Sequence, residues 1–271
     1  MKKLVLALML ILVVMTGRSQ SFEGIMRWTM KMDITDPKIK AQMEEAKKKA
    51  ADPATQAQMK ELQAKMNDPQ FKAQLDANPQ MKAQMEMAMK MMAGGDMNSM
   101  MPTGVVIKIK GTNSVTSIQG GIMDKNDVLH IADKDQTYTI NHAAKTYMVM
   151  AKPVSKPEDA KPKITKTSET IKILGHTCTK YIIEKTERNG QKSTINYWAT
   201  TEIPGIDLKA LAKQQMNKDQ SLIYAEIDGV PLKIEMTMPQ GVMTMEVQEI
   251  KKESLPASAF TLPSGYTETK I

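Results

Sequence analysis

Methionine thioethers are the most concentrated chemically distinctive side chains of this sequence. Residues 36–101 carry 12 of its 26 methionines. Thioethers are polarisable and flexible, so they suit contacts with varied apolar partners, and they are soft ligands that bind Cu(I). Met81, Met85, Met89 and Met92 follow one another at spacings of four, four and three residues. These spacings predict four thioethers along one face of a helix.

A second set of methionines alternates with polar residues near the end of the chain. The two alternating runs are Ile234, Met236 and Met238, and then Met243, Met245 and Val247. Alternation places each run on one face of a strand. The sequence therefore predicts that the helical row and these strands together bind an apolar ligand. The predicted ligand-binding residues are Met81, Met85, Met89, Met92, Met236, Met238, Met243 and Met245.

Two other interpretations of the methionines stay open. They can pack against a sheet as an ordinary core, because Met fills irregular interiors well. They can also bind a soft metal, chiefly Cu(I), with Met97, Met100 and Met101 in a Gly-containing loop that is flexible enough to wrap an ion. No histidine stands among these residues, which weakens the copper interpretation.

His176 and Cys178 are the remaining residues whose types suit catalysis or metal binding. They stand two positions apart on a predicted strand, but two ligands do not complete the four that a zinc site needs. Cys–His nucleophilic catalysis requires a base that a third group orients, and the sequence marks no such group. As the only cysteine, Cys178 is expected to be buried as a small apolar residue. We therefore expect a protein that is not an enzyme and binds no cofactor.

The segment that carries the helical methionines repeats four times. Each copy begins with Asp or Asn followed by Pro, at Asp36, Asp52, Asp68 and Asn78, and continues with Ala-Gln-Met or Ala-Gln-Leu. Asp and Asn cap helix N-termini because their side chains accept from free N–H groups, and Pro fits the first helical position. Residues 36–101 are therefore predicted to form several short helices with broken joints.

The first 19 residues have the organisation of a secretory signal peptide. Two lysines precede an apolar run at 4–15, and Gly17 and Ser19 are small residues before a predicted cleavage at Gln20. An apolar run of this length is too short to span a bilayer. We therefore expect a periplasmic or secreted protein of a Gram-negative envelope.

Charge limits the expected partners. The chain carries a net charge of +7, yet Arg27 and Arg188 are the only arginines beyond the predicted signal peptide. Because Arg favours bidentate recognition of phosphates and bases, nucleic acid is not an expected partner. Weak attraction to an anionic membrane surface stays open, as does the oligomeric state.

Runs rich in β-formers, separated by turn residues, lie before and after the repeats. Residues 22–34 form one such run, so the repeats are predicted to be an insertion after the first strand of an antiparallel sheet. The further predicted strands are 105–110, 114–119, 128–132, 137–141, 146–150, 170–174, 179–187, 193–200, 222–227, 230–238 and 242–250. The Lys- and Pro-rich segment 151–166 is predicted to be a loop or linker, and 207–216 to be a short helix.

Four short segments of the C-terminal half occur together. They are 173–181 (ILGHTCTKY), 197–204 (YWATTEIP), 229–234 (GVPLKI) and 260–266 (FTLPSGY). In this combination the chain resembles an uncharacterised family of exported bacterial proteins related to the lipoprotein-sorting half-barrels (LolA/LolB-like). The resemblance implies an α+β fold in which a curved antiparallel half-barrel sheet surrounds an apolar cavity. The implied domains are a signal peptide at 1–19, a half-barrel at 22–35 and 102–271, and a Met-rich helical insertion at 36–101.

The repeats have a resemblance of their own, carried best by Asn78-Pro79-Gln80-Met81 and the methionines after it. They resemble the client-binding repeats of Hop-type co-chaperones and ubiquilins, which form grooves for apolar helices. The two resemblances imply a periplasmic carrier or chaperone for a lipid, lipoprotein or apolar segment. The alternatives are a structural envelope protein without a ligand and a Met-rich copper binder. A cavity lined by Met, Ile and Val with few charges would favour the carrier over an enzyme.

Overall fold

A computed structural model describes residues 21–77, 101–121, 123–124, 126–151, 161–186, 192–206 and 223–269, together with the helical positions 81, 84, 85, 88 and 89. Twelve strands lie within these residues. They are β1 (Glu23–Ile34), β2 (Gly104–Lys110), β3 (Asn113–Gln119), β4 (Asn126–Ile131), β5 (Gln136–Asn141), β6 (Thr146–Val149), β7 (Lys163–Ile173), β8 (His176–Thr186), β9 (Lys192–Thr200), β10 (Val230–Met238), β11 (Gly241–Lys252) and β12 (Thr267–Glu268).

All twelve strands belong to one open, curved sheet. Their order is β12-β6-β5-β4-β3-β2-β1-β11-β10-β9-β8-β7. Each neighbouring pair is antiparallel except β12–β6, which is parallel. The first strand therefore lies in the middle, where it pairs with β2 on one side and β11 on the other. The predicted antiparallel sheet is confirmed.

Three helices follow β1 and begin at the predicted caps: α1 (Pro37–Ala51), α2 (Pro53–Asn67) and α3 (Pro69–Ala77). The Asp36 carboxylate accepts from the backbone N–H of Lys38 at 2.7 Å. Asp52 and Asp68 accept from the N–H groups two and three residues later in the same way. The fourth predicted cap, Asn78, lies outside the described residues.

The helices of the insertion pack chiefly on one another. Each contacts the helix next to it in the chain, and no residue is buried across the described helices α1 and α2. Met43, Met59 and Met66 are half-buried. These thioethers therefore do not form a closed core within the first two repeats.

Ladder partners show which side chains share a face of the sheet. One row of directly opposed residues crosses the sheet from β1 to β6, and its members are Met26, Ile107, Thr116, Val128, Thr139 and Met148. Trp28, Met30 and Met32 lie on the same side of β1 as Met26, because side chains alternate along a strand. We call this side of the sheet the methionine face and the other side the opposite face.

Two hydrophobic clusters lie mostly on different faces. The larger cluster includes Met26, Trp28 and Tyr197 of the methionine face and is covered by residues of the segment 203–227. The Tyr197 and Tyr224 rings meet edge to face at 6.3 Å. The smaller cluster lies on the opposite face of β1–β5 and is covered by the segment 255–266. Its strand members are Ile25, Val106, Val115, Leu129, Tyr138 and Ile140.

One predicted strand is wrong. Residues 223–226 are helical, whereas a strand was expected at 222–227. The N–H of Ile227 donates to the carbonyl of Ile223 at 3.1 Å. A separation of four residues places both side chains on one side of a helical turn, where both are buried. Burial of this pair outweighs the β preference of the isoleucines.

The predicted loop at 151–166 is too long. Strand β7 begins at Lys163, and Lys163 and Ile164 already pair with β8. Lys163 and Lys166 therefore lie on a strand at the edge of the sheet. The predicted helix at 207–216 lies outside the described residues, as do residues 1–20.

Candidate functional site

A concavity of about 310 Å³ lies against β3–β6. Its walls combine Ile, Val and Met side chains with uncharged polar ones. The lining residues are Ile118, Met123, Asn126, Asp127, Val128, Thr139, Ile140, Asn141, Thr146, Tyr147, Met148 and Thr269. Volumes of this order lie at the lower end of the range for small-molecule sites.

Strand alternation shows which of these side chains face the concavity. Val128, Thr139 and Met148 are opposed across three adjacent strands and therefore lie together on the methionine face. Their sequence neighbours Asp127, Ile140 and Tyr147 have side chains on the opposite face, so their backbone borders the space. The concavity thus belongs to the methionine face.

Thr139 gives the concavity a polar floor. Its hydroxyl oxygen is buried and has no hydrogen-bond partner among the described residues. A buried hydroxyl without a partner is unfavourable, and a hydroxyl can both donate and accept. Because Val128 and Met148 flank Thr139 on the neighbouring strands, its surroundings are otherwise apolar.

The charged group nearest to the concavity is turned away from it. The Asp127 carboxylate contacts Nε2 of His142 at 2.8 Å. Nδ1 of the same ring contacts the Tyr266 hydroxyl at 2.9 Å. Tyr266 packs against the smaller cluster on the opposite face. These three side chains therefore connect the C-terminal segment to the start of β4. They do not present an acid and a base to the concavity.

The predicted strand methionines also lie on the methionine face. Met243 is opposed by Met32 on one side and by Met236 on the other. In the next row Met245 stands between Met30 and Ile234. Apart from the buried Met32 and Ile234, these side chains are half-buried. The predicted alternation is confirmed, and the structure adds two methionines of β1 to the same surface.

The predicted helical methionines are described only in part. Met81 is 36% exposed, and Met85 and Met89 are half-buried. Met92 lies outside the described residues. Met238 stands opposite Gly241 at the β10–β11 turn and is half-buried. The use of these residues as a ligand site stays a prediction.

The sequence of residues 83–266 matches the family described as Domain of unknown function (DUF4412). The chain belongs to this family. The match begins inside the last repeat, so β1 and the first three repeats lie outside the DUF4412 domain. Since β1 joins β2 to β11, the sheet of this DUF4412 protein includes a central strand that the family region does not contain. No curated protein matches the chain.

Two solved structures are similar to part of this DUF4412 protein. PNGF-II, crystallised in space group C2, has 15% sequence identity and a TM-score of 0.35, over 61% of this chain and 28% of its own. A LolA superfamily protein from Nitrosomonas europaea has 13% identity and a TM-score of 0.23, over 58% of this chain and 80% of its own. The chain therefore spans less than a third of the length of PNGF-II. At these scores neither structure defines a function here.

Cys178 of the DUF4412 domain is a core residue, as predicted. It is fully buried, and burial raises the pKa of its thiol to about 11, with the nearby Glu202 carboxylate adding to the shift. Glu202 instead contacts Nδ1 of His176 at 3.3 Å. A thiol with this pKa is protonated near neutral pH and is a poor nucleophile.

The described residues lack two further features. They contain no group of three or more His, Cys, Asp or Glu side chains placed to hold a metal ion. They also contain no helix that combines the length and apolar character needed to cross a membrane.

Sequence reasoning placed the strands around the concavity but missed the concavity itself. The strands at 128–132, 137–141 and 146–150 were predicted, and the residues Val128, Thr139 and Met148 stood within them. Each is directly adjacent in sequence to an apolar residue whose side chain packs in the smaller cluster. The alternation was therefore visible, but only the register shows that the three side chains meet.

Proposed function

We propose that this DUF4412 protein is an exported, non-enzymatic carrier whose sheet acts as a half-barrel and binds a hydrophobic ligand on its methionine face. The ligand is a lipid, the acyl chain of a lipoprotein or an apolar segment. One observation carries the proposal. The methionine face continues beyond the part covered by residues 203–206 and 223–227 and ends in a concavity lined by Ile118, Val128 and Met148.

The composition of the concavity supports binding rather than chemistry. Its lining is mainly Ile, Val, Met, Thr and Asn, and its one carboxylate belongs to Asp127, which is bonded to His142 on the opposite face. Acid–base catalysis needs a titratable group within reach of the substrate. An apolar surface with a few polar groups is instead the usual lining of a ligand pocket.

Magnitudes favour reversible loading. Each methylene group moved from water into an apolar site contributes about 0.8 kcal/mol. A chain with about eight buried methylene groups gains about 6 kcal/mol before the cost of association is subtracted. Once that cost is subtracted, binding is at most weak and exchangeable, as a carrier requires.

The two tryptophans allow a matched test, because they lie on different faces and are the only ones in the chain. Trp28 is on the methionine face, opposite Val105, which is in turn opposed by the concavity residue Ile118. Trp198 is opposed by Lys180 and Lys233 on the other face, and its ring lies 5.4 Å from the Lys180 ammonium nitrogen. Trp198→Phe therefore leaves a reporter near the proposed ligand, and Trp28→Phe leaves one away from it.

The probe is ω-bromododecanol, whose bromine quenches indole emission at short range. We expect saturable quenching in Trp198→Phe and little quenching in Trp28→Phe. Equal quenching of the two variants, or quenching that does not saturate, would show that no ligand binds specifically on the methionine face. Native mass spectrometry of protein extracted gently from its own envelope provides the second measurement, and a retained lipid mass is the expected result.

A further inference from the structure

We infer that the concavity selects ligands whose polar end is an uncharged hydrogen-bonding group, such as a hydroxyl, an ester or an amide. Carboxylate, phosphate and ammonium ends are disfavoured. This inference rests on the proposed function, because it specifies the ligand class of the same site. It begins from the residues that β2–β6 place on the methionine face.

The described strands β2–β6 carry no Asp, Glu, Lys or Arg side chain on this face. Ladder pairing and alternation place the following residues there: Val105, Ile107, Ile109, Ser114, Thr116, Ile118, Asn126, Val128, His130, Thr137, Thr139, Asn141, Thr146 and Met148. Only His130 among them is ionisable, and it is buried. Lys108, Lys110 and Asp127 of the same strands lie on the opposite face, so the described strands β2–β6 offer a charged ligand group no counter-charge on the methionine face.

The exposed faces of the two halves of the sheet differ in this respect. On the opposite face of β8–β11, Lys233 pairs with Glu235 at 2.9 Å and Lys180 pairs with Glu169 at 3.0 Å. Those side chains form the charged surface that a solvated sheet normally presents. The methionine face of β3–β6 is polar in a different way, through hydroxyl and amide groups between apolar residues.

Thr139 supplies the specific partner. Its hydroxyl oxygen is enclosed and has no partner among the described residues. Rotation of the side chain about χ1 turns the hydroxyl toward the concavity, where it can donate to a carbonyl or accept from a hydroxyl. The flanking Val128 and Met148 make its surroundings apolar. Burial of a neutral polar group that gains a hydrogen bond is tolerated, whereas burial of an unpaired charge is strongly unfavourable. The geometry therefore favours a neutral polar end at Thr139 with an apolar chain extending across the face.

The test compares three probes that share one chain length: dodecanol, dodecanoate and dodecylammonium. Each displaces ω-bromododecanol from the Trp198→Phe variant of the full chain. We expect dodecanol to displace it at a concentration at least tenfold lower than either ion, a ratio that corresponds to about 1.4 kcal/mol. Equal displacement by all three would overturn the inference while leaving ligand binding intact. Absence of saturable binding by every probe would overturn the proposed function itself.

Variants at Thr139 test the assigned partner. Thr139→Val removes the hydroxyl with little change in shape, and we expect it to weaken dodecanol binding about tenfold with a smaller effect on the ions. Thr139→Ser keeps the hydroxyl and should retain the preference. Thr237→Val is the control, because Thr237 is an exposed strand threonine on the opposite face. Unchanged preference in Thr139→Val would overturn the role of Thr139, and if that variant does not fold, loss of the preference in Thr139→Ser would do so.

Discussion

The two halves of the sheet, β2–β6 and β7–β11, pack against opposite faces although β1 joins them in one continuous ladder. In β7–β11 the methionine face is covered by residues 203–206 and 223–227. In β2–β6 the cover is the C-terminal segment 255–266, and it lies on the other face. The concavity at β3–β6 results from this difference. The methionine face continues into β3–β6, but there the covering segment lies on the opposite face.

The comparison separates two kinds of exposed sheet surface. The surface left open in β8–β11 is a ladder of Lys and Glu side chains, such as Lys233 with Glu246. The surface left open in β3–β6 alternates hydroxyl and amide groups with Ile118, Val128 and Met148. The first is suited to water and the second to an amphiphile. The proposed ligand surface is therefore distinguished by the absence of charge on the described strands rather than by a dense apolar patch.

Core truncation in each half should have the largest effect. Leu232 is fully buried in the larger cluster, and Phe260 is buried in the smaller one. We expect Leu232→Ala and Phe260→Ala each to lower the free energy of unfolding by about 2–5 kcal/mol, since each deletes a buried apolar side chain and leaves a cavity. Denaturant titration followed by circular dichroism measures the loss.

Both variants should still unfold in one transition. β1 contributes Met26 and Trp28 to the larger cluster and Ile25 to the smaller one, so neither half can lose its core without disturbing the other. Two resolved transitions in Phe260→Ala would show that the two halves of the sheet are separate folding units, that is, two domains.

Alkylation of Cys178 also tests whether the two halves of the sheet are coupled. Burial raises the pKa of this thiol to about 11, so at pH 8 its thiolate population is about a hundredfold below that of an exposed cysteine. We expect slow labelling in the native protein and faster labelling in Phe260→Ala, because the distant truncation should destabilise the shared sheet. Labelling by iodoacetamide, followed by mass spectrometry, gives the rate. A rate unchanged by Phe260→Ala but raised by Leu232→Ala would contradict the coupling of the halves.

Methionine variants distinguish the two halves as ligand sites. Met148→Gln keeps the side-chain length but removes apolar character from the concavity. We expect it to weaken binding of ω-bromododecanol about tenfold. The double variants Met236→Gln/Met243→Gln and Met85→Gln/Met89→Gln change the sites predicted from sequence and should weaken binding less. A larger effect from either double variant would place the ligand on the methionine rows instead of the concavity.

Acid stability should show the smallest difference. The backbone N–H of Leu255 and the ammonium group of Lys110 lower the pKa of Glu23, and this contact fastens the C-terminal cover to β1. A lowered carboxyl pKa stabilises the fold above the ordinary value of about 4.3 and loses that contribution as the pH falls. Glu23→Gln should therefore reduce the fall in unfolding midpoint on acidification.

Asp228→Asn is the matched variant in the other half. A hydrogen bond and ion pair with Lys166 lower the pKa of Asp228, and the residue directly follows the 223–227 segment that covers β9. We expect a similar small change, because Asp228 is exposed, Glu23 is only half-buried and surface ion pairs contribute little. Thermal unfolding between about pH 6 and pH 3 measures both. If the unfolding midpoint of either variant falls on acidification as much as that of the unaltered chain, the altered carboxylate does not stabilise the attachment of its covering segment to the sheet.

Local sequence signals located most strands and the helix starts. Asp36, Asp52 and Asp68 cap helices as their Pro neighbours predicted, and Pro239 and Gln240 form the turn between β10 and β11. These features depend on a few adjacent residues, so single-sequence reasoning reaches them. The helical turn at 223–226 was not predicted because it forms to bury Ile223 and Ile227 in the tertiary structure. This burial outweighs the local β propensity of the two isoleucines.

The sequence alone does not show that the two halves of the sheet are covered on opposite faces. Tyr138 and Ile140 alternate with Thr137 and Thr139 as clearly as Ile234 and Met236 alternate with their polar neighbours. Alternation shows that a strand has two faces, but only the register across β1 shows which face continues into the next strand. Thr139 therefore carried no signal as a site residue, although its strand was predicted.

The ends of the sheet determine how far it can grow. Strand β12 is only two residues long, and a short strand offers little template for another chain. The long edge strand β7 carries Lys163, Lys166 and Lys172, and its pairing with β8 is interrupted between Lys166 and Thr170. Lysines and irregular pairing are common protections against edge-to-edge addition. An open sheet of this width therefore carries its own protection against aggregation, which the proposed carrier with its apolar surface would require.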